Sequence, residues 1–240
     1  MPDPDADTVR DVEGHFSAVA VALFEAGSVA ATLQRIVDLA EGAVDNCDGA
    51  GIIVVTDGQA STRAASGPMV ERIDRIQVEA GEGPCLDAAL SGNAFYAVDL
   101  LEDDRWPAFG PQAVEAGVRS VLALALATRH LSALNLYARL PDAFGPTDRA
   151  QGVLFATLAR LALDLAEDRA AEHDKLENLT DALRSRELIG QAQGILMERE
   201  RVTAEEAFDM LRRASQHLNV KLRDVARRLV DTGEAPGPKD

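Results

Sequence analysis

Residues 184–230 read RSRELIGQAQGILMERERVTAEEAFDMLRRASQHLNVKLRDVARRLV, and their pattern predicts a compact unit of three helices. The first helix is expected from about Leu183 to Arg201. Thr203 and Glu206 have the spacing of a capping box, which marks the start of the second helix. Asn219 is a candidate N-cap for the third helix. Apolar residues at helical spacing predict the buried faces of the last two helices: Ala207, Phe208, Leu211, Ala214, Leu222, Val225, Ala226 and Leu229.

Positive charge is concentrated in this part of an otherwise acidic chain. Residues 184–240 contain 11 Lys and Arg against 10 Asp and Glu, whereas residues 1–183 contain 13 against 30. Because most of the molecule would repel a polyanion, this contrast predicts that the C-terminal end binds nucleic acid. Six cations and three amide side chains are the candidate contacts: Gln193, Arg212, Arg213, Gln216, Asn219, Lys221, Arg223, Arg227 and Arg228.

Two nucleic-acid targets are open from these residues alone. Two helices joined by a short turn are the pattern of a helix-turn-helix, whose last helix would enter a DNA major groove. The third predicted helix, however, has its cations near both ends and no row of amide or hydroxyl side chains in its middle. Unstacked loop bases of an RNA hairpin are the alternative target. A basic helix face that is simply solvated is the third interpretation.

A family resemblance favours RNA. It rests on Gln191 to Met197 (QAQGILM), Ala207-Phe208, Leu211-Arg212, Ser215, Asn219 and Lys221 to Ala226 (KLRDVA). These residues resemble the ANTAR domain, and the resemblance implies a transcription antiterminator whose dimers bind paired RNA hairpins and prevent a terminator stem from forming. Gln193 stands where the family often has Lys, which removes one candidate phosphate contact. Gly194 costs about 1 kcal/mol relative to Ala inside a helix, so we expect it at a close helix crossing or beside a ligand backbone.

The rest of the chain alternates helix and strand patterns. Ser28 is a candidate N-cap, and a β-branched run from Ala50 to Thr56 ends at Asp57-Gly58, a type I′ hairpin signal. Val121–Ala127 and Leu131–Ala138 are almost wholly apolar, which is typical of central strands. We therefore predict an α+β domain built on an antiparallel sheet. Other elements are expected at Ala60–Ala65 and Phe95–Val98 as strands, and at Met69–Val78, Leu86–Leu90 and Trp106–Ala116 as helices.

A second resemblance concerns this α+β domain, which we place at residues 9–146. It rests on Gly81 to Ala88 (GEGPCLDA), Asp104 to Pro107 (DRWP), Gly117 to Leu122 (GVRSVL) and Ala133 to Tyr137 (ALNLY). These motifs resemble the GAF domain. The resemblance implies five or six antiparallel strands, a small-molecule pocket on one face and a sensory role. GAF domains bind very different molecules, so the identity of a ligand or cofactor does not follow.

Cys85 is the candidate reactive group of this domain. Pro84 suits the first position of a helix, which places Cys85 in the first turn, where the helix dipole lowers the pKa of a thiol. Redox or covalent-ligand sensing is one interpretation, and a small apolar residue packed under a tight turn is the other. Cys47 and Cys85 form no C-x-x-C pair and the four His are scattered. We therefore predict no metal site, no catalytic residue and no enzymatic activity.

A long helix is expected over residues 147–183, before the ANTAR-like unit at 184–231. Leucines recur at heptad spacing on both sides of a polar interruption at 166–175 and predict a coiled coil that makes a homodimer through residues 154–183. A helix lying on its own domain is the alternative. The chain shows neither a targeting segment nor a membrane span, so we expect a cytoplasmic, signal-responsive, RNA-binding antiterminator. The heptad leucines are Leu154, Leu158, Leu161, Leu165, Leu176, Leu179 and Leu183.

Overall fold

The computed structural model describes residues 17–126 and 129–234. The chain divides into two compact units, residues 1–170 (unit 1) and residues 171–240 (unit 2). The first residues of the predicted sensor domain, 9–16, lie outside the described residues. So do residue 127, the last of the strand predicted at Val121–Ala127, and residue 128. In the described part of the chain, helices combining the length and apolar character needed to cross a membrane are absent.

Unit 1 is built on an antiparallel sheet, as the sequence predicts. Its strands are β1 (Gly49–Thr56), β2 (Gln59–Ala65), β3 (Ala94–Ala97), β4 (Ser120–Ala125) and β5 (Leu131–Ala138), in the order β2-β1-β5-β4-β3. Every neighbouring pair is antiparallel. The apolar strands β4 and β5 lie inside the sheet and are buried along nearly their whole length, because both faces are covered.

Within the described residues, five helices of unit 1 precede the long helix and divide between the two faces of the sheet. Residues 17–24 (α1) and Val29–Ala43 (α2) pack on one face, whereas Pro68–Ala80 (α3), Pro84–Ser91 (α4) and Gly110–Glu115 (α5) pack on the other. Each face thus has its own apolar core, separated from the other by the sheet. The fold is a three-layer α+β arrangement.

Local chemistry explains several boundaries. Ser28 accepts the backbone N–H of Ala31 and caps α2, and Asp57 and Gly58 both have positive φ, as a type I′ turn requires. One boundary differs from the expectation, because α5 begins at Gly110 and not at Trp106. The N–H groups before α5, at Ala108 and Phe109, donate to the carboxylate of Glu82 at 2.6 and 3.0 Å in place of helical partners.

A single 55-residue helix, α6 (Pro146–Glu200), extends well beyond the predicted long helix. Its first part packs on the sheet of unit 1 through Phe155, Ala159 and Leu163, which are fully buried. Leu158 also turns toward this core and is half-buried, so this part of α6 does lie on its own domain. The other heptad leucines are exposed along α6: Leu154, Leu161, Leu165, Leu176, Leu179 and Leu183.

Unit 2 contains the end of α6, α7 (Ala204–Leu218) and α8 (Leu222–Thr232). The capping box of Thr203 and Glu206 is present at the start of α7, as predicted. The role expected for Asn219 is wrong, because this residue ends α7 in the left-handed conformation with φ 51° and Lys221 is the N-cap residue of α8. The core is formed by one face of each helix: Ala192, Leu196, Ala207, Leu211, Val225, Ala226 and Leu229.

Candidate nucleic-acid interface and buried polar cluster

Helices α7 and α8 and the turn between them expose the predicted cations of unit 2, which we call the basic surface. Leu211 on α7 and Leu229 on α8 are buried in the core of the unit, so the opposite face of each helix meets solvent. Five of the six cations are exposed and Arg223 is partly exposed. The basic surface consists of Arg212, Arg213, Lys221, Arg223, Arg227 and Arg228.

Two of these six cations make ion pairs within the described residues. Arg212 contacts Asp209 at 2.9 Å, and Arg223 lies 4.0 Å from Asp181 and 3.8 Å from Asp224. Pairs this exposed contribute between about 0 and 1 kcal/mol, so a phosphate can displace them at little cost. The other four cations carry charge that no acidic side chain in the described residues neutralises.

The three predicted amide groups occupy different environments. The side-chain nitrogen of Gln193 donates to the backbone oxygen of Ala204 at 2.9 Å, so this amide holds the start of α7 against α6. Asn219 forms the turn between α7 and α8, and its side chain is exposed. Gln216 is exposed on α7. The structure therefore leaves Gln216 and Asn219 with accessible amides, whereas Gln193 positions a helix.

Gly194 lies in α6 with open space around it. A Cβ atom built there meets no heavy atom within 4 Å outside the local helix backbone. A close helix crossing inside unit 2 therefore does not account for this glycine. Approach of a ligand or of another chain is the part of the expectation that stands as a prediction.

Unit 1 contains a buried polar cluster, which consists of Asp74, Gln77, Cys85 and Tyr137. The Tyr137 hydroxyl donates to Asp74 Oδ1 at 2.5 Å, and Thr62 donates to Asp74 Oδ2 at 3.1 Å. The Gln77 nitrogen donates to Cys85 Sγ at 2.8 Å, and the Gln77 oxygen accepts the backbone N–H of Cys85 at 2.8 Å. Cys85 Sγ lies 3.3 Å from the Tyr137 hydroxyl. These contacts link α3, α4 and β5 through polar atoms inside an apolar core.

Burial controls the ionisation of this cluster. It raises the pKa of Asp74 to about 6, although hydrogen bonds from Tyr137 and Thr62 oppose the shift. Burial, followed by the charge of Asp74, also raises the pKa of the Cys85 thiol well above its usual value, and the same causes raise the pKa of Tyr137. Cys85 does lie in the first turn of α4 after Pro84. The expected lowering of its pKa by the helix dipole is wrong, because desolvation outweighs the dipole.

Two glycines allow the cluster to form. A Cβ on Gly83 would lie 2.2 Å from the Gln77 side chain, and a Cβ on Gly51 would lie 2.9 Å from Asp74 Oδ2. Gly83 also has φ 143°, which an L side chain rarely adopts. Gly83 therefore lets the start of α4 approach Gln77 on α3, and Gly51 lets α3 approach β1.

Asn135 is a further buried polar residue, on β5. Neither atom of its amide has a hydrogen-bond partner within the described residues. The amide still favours the ionised form of Asp74 and opposes the rise of its pKa, so it lies near the cluster without a well-aligned bond.

The sequence analysis did not identify Asp74, Gln77 or Tyr137 as site residues. The available signal was a carboxylate and an amide within the apolar helical pattern of Val70 and Ile73. Their partner Tyr137 lies 63 residues from Asp74 along the chain, so local spacing does not connect them.

Trp106 anchors the GEGPCLDA segment. It is buried, and its indole N–H donates to Asp87 Oδ2 at 2.8 Å. This contact agrees with a structural role for the tryptophan.

Groups of three or more His, Cys, Asp or Glu side chains that could hold a metal ion do not occur within residues 17–126 and 129–234.

Comparison with family models identifies both parts of the chain. The GAF domain model matches residues 26–164, and the ANTAR domain model matches residues 177–230. A comparison with curated proteins gives no match.

Solved structures are similar to unit 1 in fold. The GAF domain of the Acinetobacter phosphoenolpyruvate-protein phosphotransferase has 14% identity and a TM-score of 0.51, covering 71% of this chain and 99% of that one. Free methionine-R-sulfoxide reductase from Neisseria meningitidis has 15% identity and a TM-score of 0.53, covering 70% and 96%. The chromophore-binding domain of a bacteriophytochrome from R. palustris has 9% identity and a TM-score of 0.52, covering 71% and 64%. At these identities the likeness establishes the fold alone.

Proposed function

Because this chain belongs to the GAF domain family and carries an RNA-binding antiterminator domain of the ANTAR type, we propose that it binds paired RNA hairpins as a homodimer and so prevents terminator formation. The two domains are a sensor domain and a regulatory domain, and they make the chain a signal-responsive regulator. The proposal adds the target, the assembly and the route of the signal. An RNA target in transcription also implies action in the cytoplasm.

The basic surface is the observation that carries the RNA proposal. Four of its cations have no acidic partner in the described residues, although the whole chain has a formal net charge of −16. Unpaired cations that remain exposed in so acidic a molecule favour a polyanionic partner, and phosphate contacts supply most of the affinity for one.

The composition of α8 favours RNA over duplex DNA. Besides guanidinium groups, a helix that reads several bases in a major groove uses amide and hydroxyl groups along its exposed face. The sequence of α8 is LRDVARRLVDT, which has three arginines but no Asn or Gln, and its single hydroxyl, on Thr232, donates to the backbone oxygen of Arg228 at 2.8 Å. The accessible amides, Gln216 and Asn219, lie on α7 and in the turn instead.

The exposed leucines of α6 support the homodimer. Leu161 and Leu179 represent two exposed groups of heptad leucines, one on each side of the polar segment 166–175. Apolar side chains at heptad spacing become buried when two helices pair. We propose that a signal in unit 1 changes this pairing, so that two ANTAR units hold two hairpins together or separately.

We assign unit 1 a sensory role in place of catalysis, with a small-molecule ligand in the GAF domain as its signal. The similarity to a sulfoxide reductase is one of fold. Cys85 is the redox candidate, and oxidation of its buried neutral thiol requires the cluster to open first. If the signal is redox, hydrogen peroxide changes the RNA affinity of the native protein but not of C85S. Equal responses of the two proteins would exclude Cys85.

A salt-titrated binding assay tests the RNA proposal. The probes are a two-hairpin leader RNA, the same RNA with scrambled loops, and duplex DNA. We expect a preference for intact hairpins that persists as salt rises, because loop contacts are less salt-dependent than phosphate contacts. Equal and steeply salt-dependent binding to all three would show that the basic surface binds nucleic acid through charge alone and does not recognise the loops. Tighter binding to the duplex would favour a helix-turn-helix DNA-binding regulator.

A further inference from the structure

Helix α7 has an aromatic ring that unit 2 leaves exposed. Phe208 is 38% exposed, whereas its neighbours Ala207 and Leu211 are buried in the core. The sequence analysis placed Phe208 in that core, and this expectation is wrong, because the core closes around smaller aliphatic residues. Phe208 is the sole Phe, Tyr or Trp in the sequence of residues 171–240. The fold of unit 2 thus does not depend on burying an aromatic ring.

The neighbours of Phe208 distinguish it from an ordinary exposed apolar residue. Arg212 and Gln216 follow at intervals of four residues and share its side of α7. Both are exposed. One stripe therefore presents a flat ring, a guanidinium and an amide in succession.

This combination matches the chemistry of an unstacked nucleic-acid base. A base that leaves its helix stacks on aromatic rings or on guanidinium planes and forms hydrogen bonds through its edge. We propose that the stripe Phe208–Arg212–Gln216 binds one extruded loop base of the RNA hairpin, with Phe208 stacking on the base and Gln216 contacting its edge. A purine fits best, because its larger ring system covers more of the phenyl ring. This inference rests on the proposed RNA-binding function and names the group that the surface recognises.

The charges along α7 support a base and not a phosphate at Phe208. Glu205 precedes Phe208 by about one turn and Asp209 follows it directly, whereas the cations Arg212 and Arg213 come about one turn later. A phosphate beside Phe208 would meet repulsion, whereas a neutral base would not. The acidic side chains at this end of α7 therefore favour a neutral base at the ring, and Arg213, which lies outside the stripe, is the cation of α7 that is left for the backbone phosphate.

Gln216 is a better candidate for the base edge than Gln193. The Gln193 nitrogen donates to the backbone oxygen of Ala204, whereas the side-chain amide of Gln216 makes no hydrogen bond within the described residues and is exposed. Gln193 thus becomes a positioning residue, which fixes the first turn of α7 and with it the direction of Phe208.

A double-mutant cycle tests the proposal on the full-length protein. Each loop nucleotide of the two-hairpin RNA is replaced in turn by an abasic nucleotide, and the affinity of each RNA is measured for the native protein, F208L and Q216L. L218A is the matched control, because Leu218 is a similarly exposed apolar residue, at 37%, on the same helix.

At one loop position we expect the abasic RNA to lose roughly 10- to 100-fold in affinity for the native protein, as stacking on an aromatic side chain predicts. F208L should lose about the same with intact RNA and little more with that abasic RNA. L218A should bind within about twofold of the native protein and show the full abasic effect.

Two results would overturn the inference. One is additivity of F208L with the abasic change at every loop position. The other is loss of the homodimer in F208L by sedimentation, which would assign the ring to a contact between protein copies. Failure of the native protein to prefer intact hairpins is a separate result, since it would remove the proposed function itself.

Discussion

The polar groups of the two units are used in opposite ways. In unit 1, Asp74, Gln77, Cys85 and Tyr137 are buried and spend their hydrogen bonds on one another. In unit 2, most cations of the basic surface are exposed and have no acidic partner in the described residues. Polar groups that are buried and bonded to one another fix one conformation of unit 1. Exposed charges without partners are instead available to bind another molecule. We expect the first arrangement in a sensor domain and the second in an RNA-binding surface, and four substitutions test this difference.

The largest effect is expected from Leu179→Asp, which tests whether RNA binding needs the basic surfaces of two protomers. An aspartate among the heptad leucines disfavours helix pairing, so the protein should become monomeric by sedimentation. Affinity for a two-hairpin RNA should then fall by about 100-fold or more, because linked sites gain 10²- to 10⁴-fold through effective concentration. Affinity for a single hairpin should change little.

Leu140→Asp is the control for this test, since Leu140 is also exposed but lies outside α6. It should stay dimeric and keep its affinity. Leu158→Asp is unsuitable, because half-burial against the core of unit 1 would add a folding defect. If Leu179→Asp stayed dimeric with unchanged affinity, the pairing mechanism would be wrong.

The next effect concerns the buried carboxyl of unit 1. Folding raises the pKa of Asp74 to about 6, so the folded state prefers the protonated acid. Stability from this group is therefore fully present below the unfolded pKa near 4 and is lost as pH rises through 6. The loss is about 3 kcal/mol in total, of which about 2 kcal/mol falls between pH 4.5 and 7.5.

Asp74→Asn should remove this pH dependence, because an amide does not titrate. Urea unfolding followed by the fluorescence of Trp106, the single tryptophan and a buried residue of unit 1, reports the relevant unit. Relative to the native protein, the variant should gain stability as pH rises from 4.5 to 7.5. A constant difference across that range would show that the cluster does not carry a buried charge.

A smaller effect is expected from Arg227→Gln on α8. Loss of one phosphate contact should lower RNA affinity by roughly tenfold for every hairpin sequence and reduce the salt slope by about one. Arg75→Gln, an exposed arginine on α3 of unit 1, should change neither value. Equal effects of the two substitutions would mean that the protein binds RNA by diffuse charge and not through the basic surface.

How much of the structure the sequence predicts depends on how far apart along the chain the interacting residues lie. The Asp57-Gly58 turn and the Thr203–Glu206 capping box act within a few residues, and both are confirmed. The contact between Asp74 and Tyr137 joins α3 to β5, so no local pattern contains it. Most elements were predictable, whereas the polar cluster needed the assembled fold.

Errors in unit 2 have the same origin. Asn219 carries a cap-forming side chain that suits either end of a helix, and the short turn decides in favour of the end of α7. Phe208 has the spacing of a core residue, but the core of unit 2 is complete without it. Sequence periodicity gives the side of a helix to within about one residue, and one residue decides whether a ring is buried or accessible.

The smallest effect is expected from Gly194→Ala, which distinguishes a role of this glycine in the stability of unit 2 from a role in RNA binding. Open space surrounds Gly194, so alanine should stabilise α6 by about 1 kcal/mol through its helix propensity alone. If a ligand backbone approaches this face, the same methyl group should weaken RNA binding by several-fold. Gly42→Ala in α2, where open space also surrounds the glycine, should stabilise unit 1 without altering RNA affinity. A Gly194→Ala protein that is more stable and binds RNA as well as the native one would show that this glycine serves neither the fold nor the partner.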